Sequence, residues 1–174
     1  MYEKTSDILQ CDVLVVGGGG AGIRAALEAA KSGKSIILAT QTKLGNSGST
    51  FYKNSPEWGI MFAHDENDVE DFYNEILNAA DGCVNKNLVY LLAKHSKECF
   101  QELEQYGLHF TSLSDLGVVT CFGKKTRGAL LDDLGEAIDI LTAQIKKHDN
   151  ILLLEDVSIC ELIVKDGVMN GALG

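Results

Sequence analysis

The sequence predicts an α/β fold: a parallel sheet flanked by helices, followed by the start of a β-meander. Three observations lead there. Within residues 12–39 an apolar β-branched run, a glycine cluster, a helical pattern and a second apolar run follow one another. Amphipathic helical patterns then fill much of residues 68–147. A further short apolar run at residues 151–154 precedes Asp166-Gly167, a two-residue hairpin signal.

Taken in order, Asp12 to Val16 reads as a buried strand, and Ala21 to Lys31 as a helix with Ile23, Ala26, Leu27 and Ala30 on one face. Gly33 stands just past the helix end, where glycine commonly terminates helices. Ser35 to Ala39 reads as a second buried strand, parallel and adjacent to the first. From Gln41 to Phe62 the pattern dissolves into Gly, Ser, Asn and Thr, and the single proline, Pro56, falls here. A loop of this length in a compact domain is commonly functional.

Asp68 to Ala80 and Asn85 to Tyr106 follow as helices. In the second, Leu88, Leu91, Leu92, His95, Cys99, Leu103 and Tyr106 trace the predicted buried face. Leu116 to Phe122 reads as a short strand, Leu134 to Lys147 as an amphipathic helix and Ile151 to Leu154 as a third buried strand. Ser158 to Val164 and Val168 to Leu173 flank the hairpin turn.

The glycine cluster has a specific register. Gly17, Gly19 and Gly22 fit G-x-G-x-x-G between a strand and a helix, which makes the unit Rossmann-like. Gly17 permits the tight turn, Gly19 lets the backbone approach a pyrophosphate, and Gly22 lets the helix pack closely. Gly20 assists that approach, whereas Gly18 carries no requirement in the motif. The helix N-terminus then directs unpaired N–H groups at the phosphates. An acidic residue for the ribose hydroxyls is expected about 20 residues on, but Thr40 occupies that position. Neutral hydrogen bonds are weaker than those to a carboxylate, so generic NAD binding is disfavoured. Lys43 raises the alternative of a 2′-phosphate and NADP, although a lysine in a polar loop is usually just solvated.

Composition bounds the rest. The chain has 174 residues, 45% of them hydrophobic, and a net charge of −10. It can bury a core, and its charge repels nucleic acid and anionic membranes. The five cysteines form no C-x-x-C pair, so they read as reduced and mostly buried thiols, and no metal site is expected. No apolar run approaches the ~20 residues that span a bilayer, and no leader follows Met1, so the chain reads as soluble and cytoplasmic without direct membrane insertion.

From "TQTKLGNSGST" onward the sequence resembles a known family. "DVLVVGGGGAGIRAALEAA", "GNSGST", "AADGCVNKNLVYLLAKHSKECFQELEQYGLHF", "LGEAIDILTAQIKK" and "VKDGVMNGAL", in that order, are similar to the flavoproteins of succinate dehydrogenase, fumarate reductase and L-aspartate oxidase. The resemblance covers nearly the whole chain. It implies that Gly17, Gly19, Gly20, Ala21 and Gly22 hold an FAD pyrophosphate and that Thr40 and Gln41 sit at the adenosine ribose. Gly45, Asn46, Ser47, Gly48, Ser49 and Thr50 would wrap the pyrophosphate and flavin edge, and the Val157 backbone would touch adenine. Ser49 stands where some members carry the histidine that attaches FAD covalently, so the resemblance implies non-covalent FAD. The family's glycine-rich "A-Q-G-G" stretch is replaced by "NSPEWGIMFA", with only Gly59 and Ile60 matching; Trp58 there is a stacking residue or a structural one.

Family members are much longer, and their catalytic and substrate-binding residues lie beyond the part matched here. The resemblance therefore implies that residues 1–174 are the N-terminal portion of one FAD-binding domain, without capping and helical domains and inactive alone. Exposed strand edges, marginal stability and self-association follow as expectations. In the full-length protein the flavin would exchange a hydride with a small dicarboxylate or amino-acid substrate, and an iron–sulfur or other electron-transfer protein would be its partner. The alternatives are an NAD(P)-binding Rossmann protein and a non-catalytic fragment that binds a nucleotide or a partner chain.

The other polar residues have bland readings. His64-Asp65-Glu66 and the acidic run Asp65 to Asp71 read as solvated, as do Asp132-Asp133 at a helix start. His95 reads as a core histidine, and Arg127 has an equal claim to be a loop cation.

Overall fold

The computed structural model describes residues 8–46, 48–51, 58–117 and 122–174. The chain divides into two compact units, residues 1–53 with 141–174 and residues 54–140.

The first unit is built on a parallel sheet. Strand β1 (Val13–Val16), helix α1 (Gly20–Ala30) and strand β2 (Ile36–Thr40) form the expected βαβ unit. β1 and β2 pair in parallel with Val13 opposite Ile36. Asp12 fixes that register: its carboxylate accepts from the Ser35 N–H at 2.9 Å and the Ser35 hydroxyl at 2.8 Å. α1 buries Ile23, Ala26, Leu27 and Ala30, the face the 3.6-residue period predicts. All five residues of β2 are buried, because β2 lies in the middle of the sheet order β1-β2-β6.

The other unit begins with β3 (Gly59–Ile60), then α2 (Val69–Ala80), α3 (Lys86–Gln105), β4 (Phe110–Ser112) and β5 (Ala129–Leu131). These strands form a small antiparallel sheet in the order β3-β5-β4. Its core is Phe72, Ala63 and Ala93, with Met61, Val69, Tyr73 and Ile76 packed around them. Phe100 stacks on Phe62 at 4.1 Å between ring centroids and tilts against Phe110 at 5.1 Å. Trp58 pairs with Phe110 at 6.0 Å, which is the structural reading of that tryptophan.

Helix α4 (Leu134–Lys146) follows, started by Asp133, whose carboxylate accepts from the Glu136 N–H. Strand β6 (Ile151–Glu155) then adds to β2 in parallel, with Ile36 opposite Ile151. Strands β7 (Glu161–Lys165) and β8 (Val168–Leu173) form the hairpin, with Asp166 and Gly167 both at positive φ, as a type I′ turn requires.

Several expectations need correction. The buried stripe of α3 is Val89, Ala93, Ser96 and Phe100, while Leu88, Leu91, Leu92 and His95 are exposed. Both stripes have helical spacing; packing against α2 selected the one with the smaller side chains, since Ala93 and Ser96 allow close approach. His95 pairs with Glu98 at the surface and is no core histidine. Of the strand expected at Leu116 to Phe122, Leu116 and Gly117 lie in a turn and Phe122 in no strand, while residues 118–121 lie outside the described residues; the strands described in this region are β4 and β5. β6 is half-buried, with Leu152 exposed, because it sits at the end of the three-strand order. Among the described cysteines, Cys83 and Cys160 are exposed and Cys11 and Cys99 half-buried, so they are not the buried thiols expected. Exposed apolar side chains do line β7 and β8: Leu162, Val164, Val168 and Met169 are each more than half accessible.

The acidic run contains a buried member. Asp68 is 4% exposed and Arg127 fully buried, and the two form a bidentate pair with both N–O distances 2.7 Å. Arg127 also bonds Glu75 and lies over the Phe72 ring at 5.2 Å. Lys125 adds bonds to Asp68 at 2.8 Å and Asp71 at 2.7 Å. Arg127 thus ties the segment before β5 to α2 and is no loop cation. A buried carboxylate needs such partners, because desolvation is otherwise prohibitive.

Candidate functional site

The glycine turn gathers the site of the first unit. At φ +107 Gly17 occupies backbone space that other residues avoid, and its N–H donates to the Ala39 carbonyl at 2.8 Å. This bond continues the β1–β2 ladder into the turn. A Cβ on Gly22 would run into the Gly17 carbonyl oxygen, so the helix can start this close to the strand only with glycine there. Gly19 is the N-cap of α1 and has no side chain to satisfy the first-turn N–H groups. Those donors, with the positive end of the helix dipole, favour an anionic group.

The loop after β2 lies on this turn. A Cβ built on Gly48 would come within 3.2 Å of the Gly19 Cα, so the two backbones nearly touch. A Cβ on Gly20 would meet the Thr50 hydroxyl oxygen at 2.9 Å, which places that hydroxyl over the turn. The structure therefore brings together Gly17–Gly22, Gly48 and Thr50, which are far apart in sequence. Ser49 is exposed in the same short helical turn, residues 49–51. Ser47 lies outside the described residues.

Thr40 ends β2 and is 1% exposed, and its hydroxyl oxygen has no hydrogen-bond partner among the described residues. A buried hydroxyl left unpaired costs about 1–3 kcal/mol. Gln41 is exposed beside it, and Val157 donates its N–H to the Thr40 carbonyl at 3.0 Å. Gly45 is buried and Asn46 exposed; the Asn46 N–H closes a turn on the Lys43 carbonyl.

Three further residues have structural roles that sequence reasoning missed. Gly18 has a packing role outside the motif: a Cβ there would fall 2.7 Å from the Thr40 hydroxyl and 2.8 Å from Leu44 Cδ1. Leu44 is buried against it. Glu155, at the end of β6, accepts from the Leu44 N–H at 2.8 Å and from the Lys43 ammonium at 3.1 Å. These two donors, the Leu44 N–H first, hold the Glu155 carboxyl below the usual carboxylate range. Lys43 also reaches Asp156 at 2.9 Å, so its charge is committed to two carboxylates and does not mark a 2′-phosphate site. No local sequence signal marks Glu155, because its partners are 111 and 112 residues away.

The arrangement suits a dinucleotide. A glycine cradle admits the backbone to within contact of a flat, phosphate-bearing ligand, and an uncapped helix N-terminus supplies donors for it. Among the described residues no helix is long and apolar enough to cross a membrane.

Comparison with known proteins agrees with this geometry. A family model described as FAD binding domain matches residues 12–173. L-aspartate oxidase of Vibrio cholerae is 33% identical over 170 residues, covering 91% of this chain and 31% of that protein. A fumarate reductase (CoM/CoB) of Methanothermobacter marburgensis is 30% identical over 175 residues, covering 97% of this chain and 32% of that one. The chain thus spans about a third of the length of these relatives. Among solved structures, Sdh1 of Mycobacterium smegmatis superposes with a TM-score of 0.77 at 26% identity, covering 93% of this chain and 30% of that one. E. coli quinol fumarate reductase FrdA shares the fold, with a TM-score of 0.77 at 22% identity over 94% of this chain and 29% of that one. With a strand–glycine–helix cradle and a matching model over nearly its whole length, the chain belongs to the FAD binding domain family, and it is similar to proteins named L-aspartate oxidase and fumarate reductase.

Proposed function

We propose that this chain is the N-terminal portion of an FAD-binding domain that holds FAD without a covalent bond. The pyrophosphate lies at Gly17, Gly19, Gly20, Ala21 and Gly22, on the N–H groups of α1. The adenosine ribose sits beside Thr40 and Gln41. Gly45 to Thr50 covers the pyrophosphate and flavin edge, and the Val157 backbone borders adenine. Ser49 is not a nucleophile that stays bonded to a flavin methyl group, which is why attachment is non-covalent. The observation that carries the reading is the near contact of Gly19 and Gly48 beside an uncapped helix start.

In the whole protein, bound flavin supplies hydride transfer. Its substrate is a small dicarboxylate or amino acid, by analogy with relatives named L-aspartate oxidase and fumarate reductase. An iron–sulfur or other electron-transfer protein is the corresponding partner, and the location is cytoplasmic. The contribution of residues 1–174 is binding and orientation, with substrate chemistry outside it. The test is to purify the protein, confirm its visible flavin band and precipitate it with acid. Yellow FAD released into the supernatant is the expected result. Flavin retained in the pellet overturns non-covalent attachment, and uptake of NAD or NADP in place of FAD overturns the whole reading.

A further inference from the structure

The segment that follows β2 has no ladder of its own to hold it at the glycine turn. Residues 41–46 and 48–51 form no strand, and only Ser49 to Phe51 make a helical turn. Yet Gly48 nearly touches Gly19 and Thr50 overlies Gly20. Something must offset the entropy of ordering this stretch.

We propose that Glu155 is a positioning residue for FAD, latching Lys43 and Leu44 so that Gly48 and Thr50 stay over the dinucleotide turn. One carboxylate oxygen accepts the Leu44 N–H at 2.8 Å, and the other accepts the Lys43 ammonium at 3.1 Å. The backbone bond fixes Leu44 in place. Its side chain, 5% exposed, then covers Gly18, and the chain reaches Gly48 four residues later. Asp156 reinforces the latch: at φ +60 its backbone turns sharply, and its carboxylate meets Lys43 at 2.9 Å. The Val157 N–H to Thr40 carbonyl bond keeps the end of β6 against β2, so the latch stands on a rigid base. The proposal rests on the reading that FAD binds at this turn.

The latch predicts an order among variants. Glu155→Ala removes both bonds. Glu155→Gln keeps an oxygen for the Leu44 N–H, and Lys43→Met removes only the exposed ion pair. A hydrogen bond to a charged group is commonly strong enough that losing its effect on the loop weakens FAD binding about tenfold or more. The experiment titrates FAD into the full chain by flavin fluorescence and measures amide exchange at Leu44 in the absence of FAD. The expected result is a Kd raised about tenfold in Glu155→Ala with faster exchange at Leu44. Glu155→Gln and Lys43→Met should stay within about threefold of the wild type. Thermal melts of the FAD-free forms separate the latch from global destabilisation.

A Glu155→Ala protein that binds FAD like the wild type overturns the proposal, as does a Glu155→Gln protein as weak as Glu155→Ala. An affinity loss matched by a general collapse of amide protection across β1 and β2 also overturns it. If the wild-type chain takes up no FAD, the cofactor reading falls and this proposal with it. If the wild type binds FAD and the variants do not differ, only the proposal falls.

Discussion

Replacing Arg127 with methionine should destabilise the protein far more than removal of a surface charge. The guanidinium is fully buried, and Asp68 beneath it is 4% exposed. Arg127 supplies two bonds of 2.7 Å to Asp68, one to Glu75, and a cation–π contact with Phe72. Removing one partner of a buried pair typically costs about 3–5 kcal/mol, because the other charge is left desolvated. Asp68 would keep the His64 N–H at 3.0 Å and the half-exposed Lys125 at 2.8 Å, which places the expected loss near the lower end, about 3 kcal/mol. At this chain length that lowers Tm by roughly 6–12 °C.

Urea and thermal melts of the wild type and Arg127→Met measure the loss directly. Adding Asp68→Asn should recover part of it, since the stranded charge is gone. Arg127 first, with His64 and Lys125 behind it, holds the Asp68 carboxyl below the usual carboxylate range, against the opposing effect of burial. A carboxyl with a depressed folded pKa stabilises above the unfolded value, near 3.9, and that contribution is lost as pH falls through the folded value. The wild-type advantage should therefore hold from neutral pH down to about pH 5 and shrink below about pH 4. A loss under about 1 kcal/mol would refute the reasoning, for it would mean the pair behaves like an exposed one.

Other outcomes follow from the same geometry. Gly22→Ala should abolish FAD retention and destabilise by about 3 kcal/mol or more, measured by flavin content and melting, because its Cβ meets backbone that has no room to move. Gly18→Ala should cost about 1–3 kcal/mol, since Thr40 and Leu44 are side chains that can shift in part. On α3, Phe100→Ala should cost about 3–5 kcal/mol in denaturant unfolding. Leu88→Ser and Leu92→Ser should each stay within about 0.5 kcal/mol, and a large loss at Leu88 would restore the other face as the buried one.

Much of the first unit was legible in the sequence. β1, α1 and β2 fall within a residue or two of their expected bounds, and the Asp166-Gly167 hairpin forms as its turn chemistry demands. These features depend on residues close in the chain: glycines at a turn, a 3.6-residue stripe, positive φ at two hairpin positions. The second unit was less legible. Its strands are two or three residues long, too short to show a period, and they pair across sequence distances that no local pattern reports.

The sequence by itself determined the βαβ cradle and the hairpin, because backbone conformation and periodicity are local properties; the FAD class came from the family resemblance that "GNSGST" and its neighbours carry. Only the tertiary structure decided which stripe of α3 is buried, why Gly18 must be small and what Asp68, Arg127 and Glu155 do. Each of those depends on what lies opposite. Asp68 and Arg127 are 59 residues apart, and Glu155 and Leu44 are 111 apart. A charge reads as solvated until the fold removes water from it and sets a partner within hydrogen-bond reach.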